Sequence, residues 1–217
     1  MATPVIRVPR VYRRAPVLKK LRDVIEQPFY DTVRLAHGSQ SKILLFQEIV
    51  GQGTSAIKGS GPKTELDTNM IESGRVPKGY AYQINGIGVE VVALFDGTNL
   101  TYPTLETIQS FAMNTLLKLV IGEKPYVKAP VLFLPAGTGI SAAVATTQSA
   151  TTLTPATLGT PQKVNLRKLA IPHRISENRN FYIELDNTNG NAYDFGGSGR
   201  ALIVRVYLDG ILWRIVQ

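Results

Sequence analysis

The residues of this sequence best suited to acid–base chemistry near neutral pH are its two histidines, His37 and His173. Each stands in a stretch rich in turn-forming residues. Neither has a serine, aspartate or glutamate at a spacing that indicates a catalytic partner. Because no nucleophile, base and orienting group are indicated together, the sequence favours packing or surface roles for both histidines.

Two carboxylate pairs could in principle bind a metal or act as acid and base: Asp67 with Glu72, and Glu184 with Asp186. Strand alternation predicts that Glu184 and Asp186 share one outward face, where solvated charges are the ordinary expectation. The chain has no cysteine, which excludes a thiolate nucleophile and a cysteine-based zinc site. The sequence therefore predicts a protein that is not an enzyme and has no cofactor and no small-molecule substrate.

Residues 51–56 superficially match a glycine-rich dinucleotide fingerprint that follows a strand. That fingerprint needs a helix to begin at its third small residue. The glycines and proline of residues 58–62 cannot propagate a helix, so residues 51–63 are predicted to form a loop.

Positive charge is concentrated at the start of the chain. The whole protein carries +8, and residues 1–22 account for +7 of it, so the remaining 195 residues carry only +1. Such a basic arm binds phosphate through counterion release and is typical of contact with nucleic acid or anionic lipid. The predicted contact residues are Arg7, Arg10, Arg13, Arg14, Lys19, Lys20 and Arg22.

The arm also carries apolar residues that predict contact with protein. Three prolines favour an extended chain over residues 1–15, and helical spacing predicts a short amphipathic helix over residues 16–26, ended by Gln27 and Pro28. A solvated tail, a brace between subunits and a phosphate contact all remain open for this segment. The predicted subunit-interface residues are Val5, Ile6, Val8, Val17, Leu18, Leu21, Val24 and Ile25.

Beyond Pro28 the chain consists of short runs with β-strand patterning, separated by turn residues. Asn85 and Gly86 predict a bulge in a long strand, and Asp209 with Gly210 predicts a tight turn. A helix is predicted from Pro103 to about Asn114. The uncharged segment 129–162 is compatible with a flexible loop or a threonine-rich hairpin. Strands are predicted at residues 29–35 and 41–50 (as a hairpin or as neighbours), 80–91, 116–121, 126–134, 181–186, 202–208 and 211–216.

This pattern predicts an all-β fold, a sandwich or barrel with Greek-key connections and one or two short helices. We expect two parts, a basic N-terminal arm at residues 1–27 and a single domain at residues 28–217. No run of 18 apolar residues occurs, so no membrane span is predicted.

Several stretches are similar to predicted capsid proteins of tailless bacteriophages, namely residues 67–70, 74–91, 133–137 and 201–217. With its basic arm and long uncharged loops, the chain as a whole resembles the single jelly-roll capsid proteins of icosahedral viruses. The resemblance implies a jelly-roll sandwich that self-assembles into an icosahedral shell. It also implies an arm that runs beneath neighbouring subunits towards the genome or an internal membrane.

The partners implied by this resemblance are copies of the chain itself, other capsid proteins and, through the arm, genome nucleic acid or internal membrane lipid. The implied location is the virion, assembled in the host cytoplasm. Two other functions remain open. One is a carbohydrate-binding jelly-roll or fibre module, and the other is a nucleic-acid-binding protein of a ribonucleoprotein.

Overall fold

The computed structural model describes residues 22–142 and 155–215, which form a mostly β structure of antiparallel sheets. One α-helix and one short 3₁₀ helix, Val131–Phe133, interrupt the strands of this part of the chain. In chain order the main elements are β1 Arg22–Glu26, β2 Phe29–Ala36, β3 Lys42–Leu45, β4 Tyr80–Phe95, β5 Leu100–Thr101, α1 Leu105–Asn114, β6 Leu116–Ile121, β7 Lys124–Pro130, β8 Ser141–Ala142, β9 Ala156–Thr157, β10 Arg167–Ile175, β11 Phe181–Asp186 and β12 Ala201–Ile215.

Two large sheets share one hydrophobic core. Sheet A has the order β1-β12-β4-β10, with β2 pairing with β12 beyond the end of β1 and β5 pairing with β4. Sheet B has the order β3-β11-β6-β7. The prediction of an all-β fold is confirmed, since the inner faces of both sheets contribute to a single cluster of buried side chains.

Alternation of apolar and polar residues explains why the central strands bury one face. In β11, Phe181 and Ile183 are fully buried, and in β12 the residues Leu202, Val204 and Val206 are fully buried as well. Burial of such a side chain contributes about 1.5–3 kcal/mol relative to exposure. These inward-facing residues hold the two sheets together, and the outward faces remain free for polar groups.

The predicted bulge in β4 is confirmed. Gly86 lies opposite Asp209 and Ile84 lies opposite Gly210, so Asn85 has no partner in β12. The extra residue reverses the alternation, which allows Tyr82 before the bulge and Val89 after it to be fully buried on the core side.

The tight turn predicted at Asp209 and Gly210 is wrong, because β12 runs through both residues. Gly210 lies opposite the β4 bulge, where a Cβ atom would come within 2.1 Å of the backbone oxygen of Gln83. A turn and a close approach of two backbones both favour glycine, so the local sequence cannot distinguish them.

The helix predicted over residues 16–26 is wrong for residues 22–26, which form β1, and residues 16–21 lie outside the described part of the chain. β1 pairs with β12 in a register that places Val24 opposite Trp213. Ile25 packs against the core, whereas Val24 is 61% exposed. The free edge of β12 supplies hydrogen bonds to these β-branched residues, and this tertiary pairing overrides the helical spacing.

The prediction that residues 29–35 and 41–50 form a hairpin or neighbouring strands is also wrong. β2 pairs with β12 in sheet A and β3 pairs with β11 in sheet B, so the turn between them crosses from one sheet to the other. The second strand ends at Leu45, because the chain turns at Phe46 with a φ of 67°. Residues 51–63 contain no helix or strand, as predicted.

The predicted helix is confirmed as α1, with Thr104 as its N-cap and Ile108, Phe111 and Ala112 buried. The strand predicted at residues 126–134 is shorter than expected, since β7 ends at Pro130 and the 3₁₀ helix follows. Within the uncharged segment, β8 and β9 pair antiparallel, and residues 143–154 between them lie outside the described part. β10 has no counterpart among the predicted strands.

Candidate functional site

The structure locates few of the predicted arm residues. The basic residues from Arg7 to Lys20 and the apolar residues from Val5 to Leu21 lie outside the described part of the chain. Arg22 is the first residue of β1. Of the predicted interface residues, only Val24 and Ile25 have described side chains, and they point to opposite sides of β1.

Both histidines contact neighbouring segments. His37 Nδ1 accepts a hydrogen bond from the backbone N–H of Phe195 at 3.0 Å, which fastens the loop before β12. His173 lies in β10, and not in the turn-rich setting that the sequence suggested. Its ring packs edge-on against Tyr126 of β7, with the ring centroids 4.8 Å apart.

The predicted carboxylate pairs are held by hydrogen bonds and lysines. Asp67 accepts bonds from Ser55 and Thr64. Desolvation would raise the pKa of Asp67, but these hydrogen bonds outweigh it and hold the pKa below its ordinary value. The expectation that Glu184 and Asp186 are solvated is wrong, because their side chains are only 14% and 5% exposed, and Lys118 Nζ lies 2.7 Å from each of them.

Lys118 and Thr188 donate to Asp186, and these bonds hold the pKa of its carboxyl well below its usual range. Lys42 adds a second ammonium group at 3.7 Å from Asp186. This arrangement neutralises the carboxylates. Over residues 22–142 and 155–215, no group of three His, Asp or Glu residues is placed to hold a metal ion, and no helix is long and apolar enough to cross a membrane.

The tertiary structure collects positive charge on one side of the domain, where β7 of sheet B and β10 of sheet A are neighbouring edge strands. These two strands contain five Lys or Arg and no Asp or Glu. Since residues 23–217 sum to +1, everything else in that range carries −4. We call this surface the basic edge, and its exposed cations are Lys124, Lys128, Arg167, Lys168 and Arg174.

The basic edge also presents apolar side chains. In β10, Lys168 lies opposite Gly86 of β4, and the next paired residue is His173, which lies opposite Ile84. Residues 169–172 therefore face only the unpaired Asn85, and we call them the β10 bulge. Leu169 packs against the core, whereas Ala170, Ile171 and Pro172 are exposed. Ile171 in this bulge is 72% exposed.

Aromatic rings position two of the cations beside the β10 bulge. The guanidinium of Arg167 lies 4.5 Å from the ring centre of Phe133, and that of Arg174 lies 5.4 Å from the ring centre of Trp213. Such cation–π contacts restrict the two side chains without neutralising them. The basic edge thus combines fixed positive charge with a projecting apolar segment.

A pocket of about 630 Å³ lies at the opposite edge of sheet A, where the chain passes from β1 to β2. Met70 is buried in it, whereas Val50 is 40% and Ile71 is 70% exposed. Exposed Glu65 contributes a carboxylate. We call this the edge pocket, and it is lined by Gln27, Pro28, Tyr30, Ile49, Val50, Glu65, Asn69, Met70 and Ile71.

Hydrogen bonds tie the walls of the edge pocket together. Asn69 Oδ1 accepts from the backbone N–H of Tyr30 at 3.1 Å, and Asn69 Nδ2 donates to the carbonyl of Pro28 at 2.8 Å. The Tyr30 hydroxyl donates to the carbonyl of Glu65. The pocket is therefore formed before any partner binds.

A buried ion pair anchors the loop that supplies most of this pocket. Lys63 Nζ lies 2.7 Å from Asp31 Oδ1, and the two side chains are 4% and 1% exposed. Burial raises the pKa of Asp31, and the Lys63 ammonium opposes that shift. The backbone N–H of Phe46 donates to Asp31 Oδ2 at 2.6 Å, which fixes the chain as it leaves β3.

Sequence reasoning did not find the basic edge or the edge pocket. The two cations of β7 and the three of β10 lie more than 35 residues apart in the chain. Acidic residues elsewhere cancel their charge in the net charge of the protein. The absence of acids from two cation-rich strands is a signal, but only strand pairing brings those strands together. Comparison with protein-family models, with curated proteins and with solved structures finds no match to this chain.

Proposed function

We propose that this protein is a structural subunit of a viral shell, without enzymatic activity, which self-assembles through a jelly-roll domain at residues 28–217 into an icosahedral particle. Its partners are copies of itself and other capsid proteins. Its basic N-terminal arm braces neighbouring subunits and faces genome nucleic acid or internal membrane lipid. It acts in the virion, after assembly in the host cytoplasm, and needs no cofactor.

The strand order is the observation that carries this proposal. β2 pairs with β12, β3 with β11, β4 with β10 and β6 with β7, all antiparallel. Strands from the two ends of the chain thus pair successively inwards, as they do when one long hairpin is rolled into a sandwich. This nesting supports a jelly roll, an architecture found in capsid and lectin domains.

The surfaces support a shell over an isolated soluble domain. Ile71, Tyr102, Met113 and Ile171 are each at least 70% exposed, on several sides of the domain. Ile71 and Val50 lie together at the edge pocket, and exposed apolar side chains grouped in this way with charged ones mark surfaces that other chains cover. The basic arm and the nearly neutral remainder are consistent with the same division of labour.

Electron microscopy of the purified chain, over a range of salt and protein concentrations, tests the proposal. We expect closed particles of uniform diameter. A variant that lacks residues 1–21 serves as the comparison, and we expect it to form fewer or less regular particles. A chain that stays monomeric under all conditions, from a native source that contains no particle, would contradict the proposal.

The basic edge supports a second candidate, a nucleic-acid-binding protein of a ribonucleoprotein, because it combines five cations with the exposed ring of Phe133. This function predicts that the isolated subunit binds single-stranded nucleic acid with a steep salt dependence. Binding of an oligonucleotide by a strictly monomeric protein, weakened by Lys128→Gln with Lys168→Gln and lost when residues 1–22 are removed as well, would favour it over the shell.

A further inference from the structure

We propose that the β10 bulge of one copy docks in the edge pocket of a second copy, so that subunits associate head to tail. The inference rests on the proposed function as a shell subunit and identifies one contact that would build the shell. Both partners in the contact are described surfaces of this chain, the bulge at residues 169–172 and the pocket beside β1 and β2.

The two surfaces match in their apolar parts. Ile171 projects from the bulge with 72% of its surface exposed. The edge pocket offers buried Met70 and half-buried Ile49 as its apolar lining, with exposed Val50 and Ile71 beside them. Docking would remove the exposed apolar groups of both surfaces from water, which is the main driving force of protein association.

The two surfaces also match in charge. Lys168 and Arg174 flank the bulge, and both are exposed. Glu65 lines the pocket and supplies its negative charge, whereas Glu72 beside Ile71 forms an ion pair with Arg75 at 3.4 Å. Opposite charges around an apolar centre steer association and oppose the wrong orientation, because bulge against bulge would bring like charges together.

The positions of the two surfaces fit a head-to-tail contact. β10 lies at one edge of sheet A, and β1 with β2 lies at the other. A contact between different patches on opposite edges leaves a free bulge and a free pocket on every pair, so it propagates from copy to copy. Such heterologous contacts close into rings or shells when the rotation between copies allows.

The bulge is held in place before docking. Pairing with β4 on both sides of it, at Lys168 and at His173, fixes the ends of residues 169–172. A segment ordered in advance loses less conformational entropy on binding. The N-terminal arm is the other apolar and basic segment of the chain that could enter the pocket, and the experiment below distinguishes the two occupants.

The absence of cysteine allows a clean cross-linking test. Two single variants, Ile71→Cys and Ile171→Cys, are mixed under assembly conditions and treated with a short bismaleimide. We expect the cross-link between residue 71 of one copy and residue 171 of another to be at least five times more abundant than the 71–71 or the 171–171 cross-link. Met113→Cys on α1, which is 70% exposed like Ile71, is the matched control and should give no such excess with Ile71→Cys.

Disruption of the contact provides a second measurement. Ile171→Asp should weaken association at least tenfold and leave the unfolding midpoint of the subunit unchanged, since the side chain is 72% exposed. Met113→Asp on α1 is the control at another exposed apolar residue, with 70% exposure, and should associate normally. Charge exchange by Glu65→Lys together with Lys168→Glu should associate more strongly than either single variant.

Normal particles without the 71–171 product would overturn this inference and leave the proposed function intact. A 71–8 product from Ile71→Cys and Val8→Cys, in place of the 71–171 product, would assign the pocket to the arm. If no particle forms, the proposed function fails. The same cross-linking of concentrated soluble protein then decides whether the contact exists without a shell.

Discussion

At the scale of single residues, buried charge is used to hold loops and strands in place. Asp31 and Lys63 form an ion pair that is almost completely buried and joins β2 to the loop of the edge pocket. Glu184 and Asp186 are held by Lys118 on the outer face of sheet B. In both cases a carboxylate that could serve a reaction is instead saturated by a lysine and by hydrogen bonds.

Removal of Lys63 should strongly destabilise the fold. Lys63→Met leaves the Asp31 carboxylate buried without its counterion, and we expect the free energy of unfolding to fall by about 3–5 kcal/mol. Urea denaturation measures the change. Lys58→Met, at an exposed position of the same loop, should change it by less than about 0.5 kcal/mol. The double variant Asp31→Asn with Lys63→Met should recover part of the loss, and equal effects at Lys63 and Lys58 would contradict this role.

Asp186 should contribute stability that depends on pH. Its pKa lies below the unfolded value of about 3.9, because Lys118 and Thr188 bind the charged form. A depressed pKa stabilises the fold above the unfolded value, and this contribution is lost as pH falls through the folded value. Asp186→Asn should therefore lower the free energy of unfolding by about 1 kcal/mol between pH 5 and 8, and by progressively less below pH 4. The loss is moderate because Lys118 keeps Glu184 as a partner.

Chemical denaturation at several pH values measures this effect. Glu123→Gln, at an exposed position in the turn before β7, is the control and should follow the pH dependence of the unchanged protein. A difference between Asp186→Asn and the unchanged protein that persists undiminished at pH 3 would refute the assigned cause.

At the scale of elements, β1 is the segment whose structure departs most from the sequence pattern. Val24 and Ile25 would share the apolar face of a helix, but in a strand they point to opposite sides. Ile25 packs on the core beside β12, and Val24 faces outwards. The apolar residue left exposed on β1 is therefore available to another chain.

This difference predicts unequal effects of two matched substitutions. Ile25→Ser should lower the free energy of unfolding of the subunit by about 1–2 kcal/mol, because it removes a partly buried aliphatic side chain. Val24→Ser should change it by less than about 0.5 kcal/mol. Urea denaturation under non-assembling conditions measures both. Equal losses at the two positions would support the helix and contradict the strand.

At the scale of the whole molecule, charge is distributed less evenly than the net charge suggests. The arm carries +7, β7 and β10 together carry +5, and the rest of residues 23–217 carries −4. If copies of the chain associate as proposed, the basic edge provides charge for that contact separately from the charge of the arm. A net charge near zero for residues 23–217 thus conceals the basic edge.

The arm should act first through its apolar residues and second through its charge. Val17→Ser with Leu21→Ser should reduce the yield of assembled particles several-fold, whereas Arg7→Gln with Arg10→Gln should reduce it less. Sedimentation measures the assembled fraction, and salt titration of the two variants provides the control for charge. If the Arg7 and Arg10 variant assembles less than the Val17 and Leu21 variant at every salt concentration, attraction of phosphate is the main role of the arm.

Local patterns in the sequence were sufficient for several elements. The alternation in residues 181–186, the bulge at Asn85 and the helix ending at Asn114 could all be predicted, and the structure confirms them. Each depends on interactions between residues that are close in sequence, such as side-chain period and glycine placement. The basic composition of residues 1–22 likewise needs no structure to be recognised.

Tertiary structure alone decided the features that depend on distant partners. Residues 22–26 are a strand because the edge of β12, nearly 190 residues away, offers them backbone hydrogen bonds. β12 passes through Gly210 without turning because it lies against the bulge of β4. The basic edge and the edge pocket arise in the same way, since each joins segments that are far apart in the chain. Local periodicity determines which residues can form a strand, but the pairing of strands across the molecule determines which side chains meet.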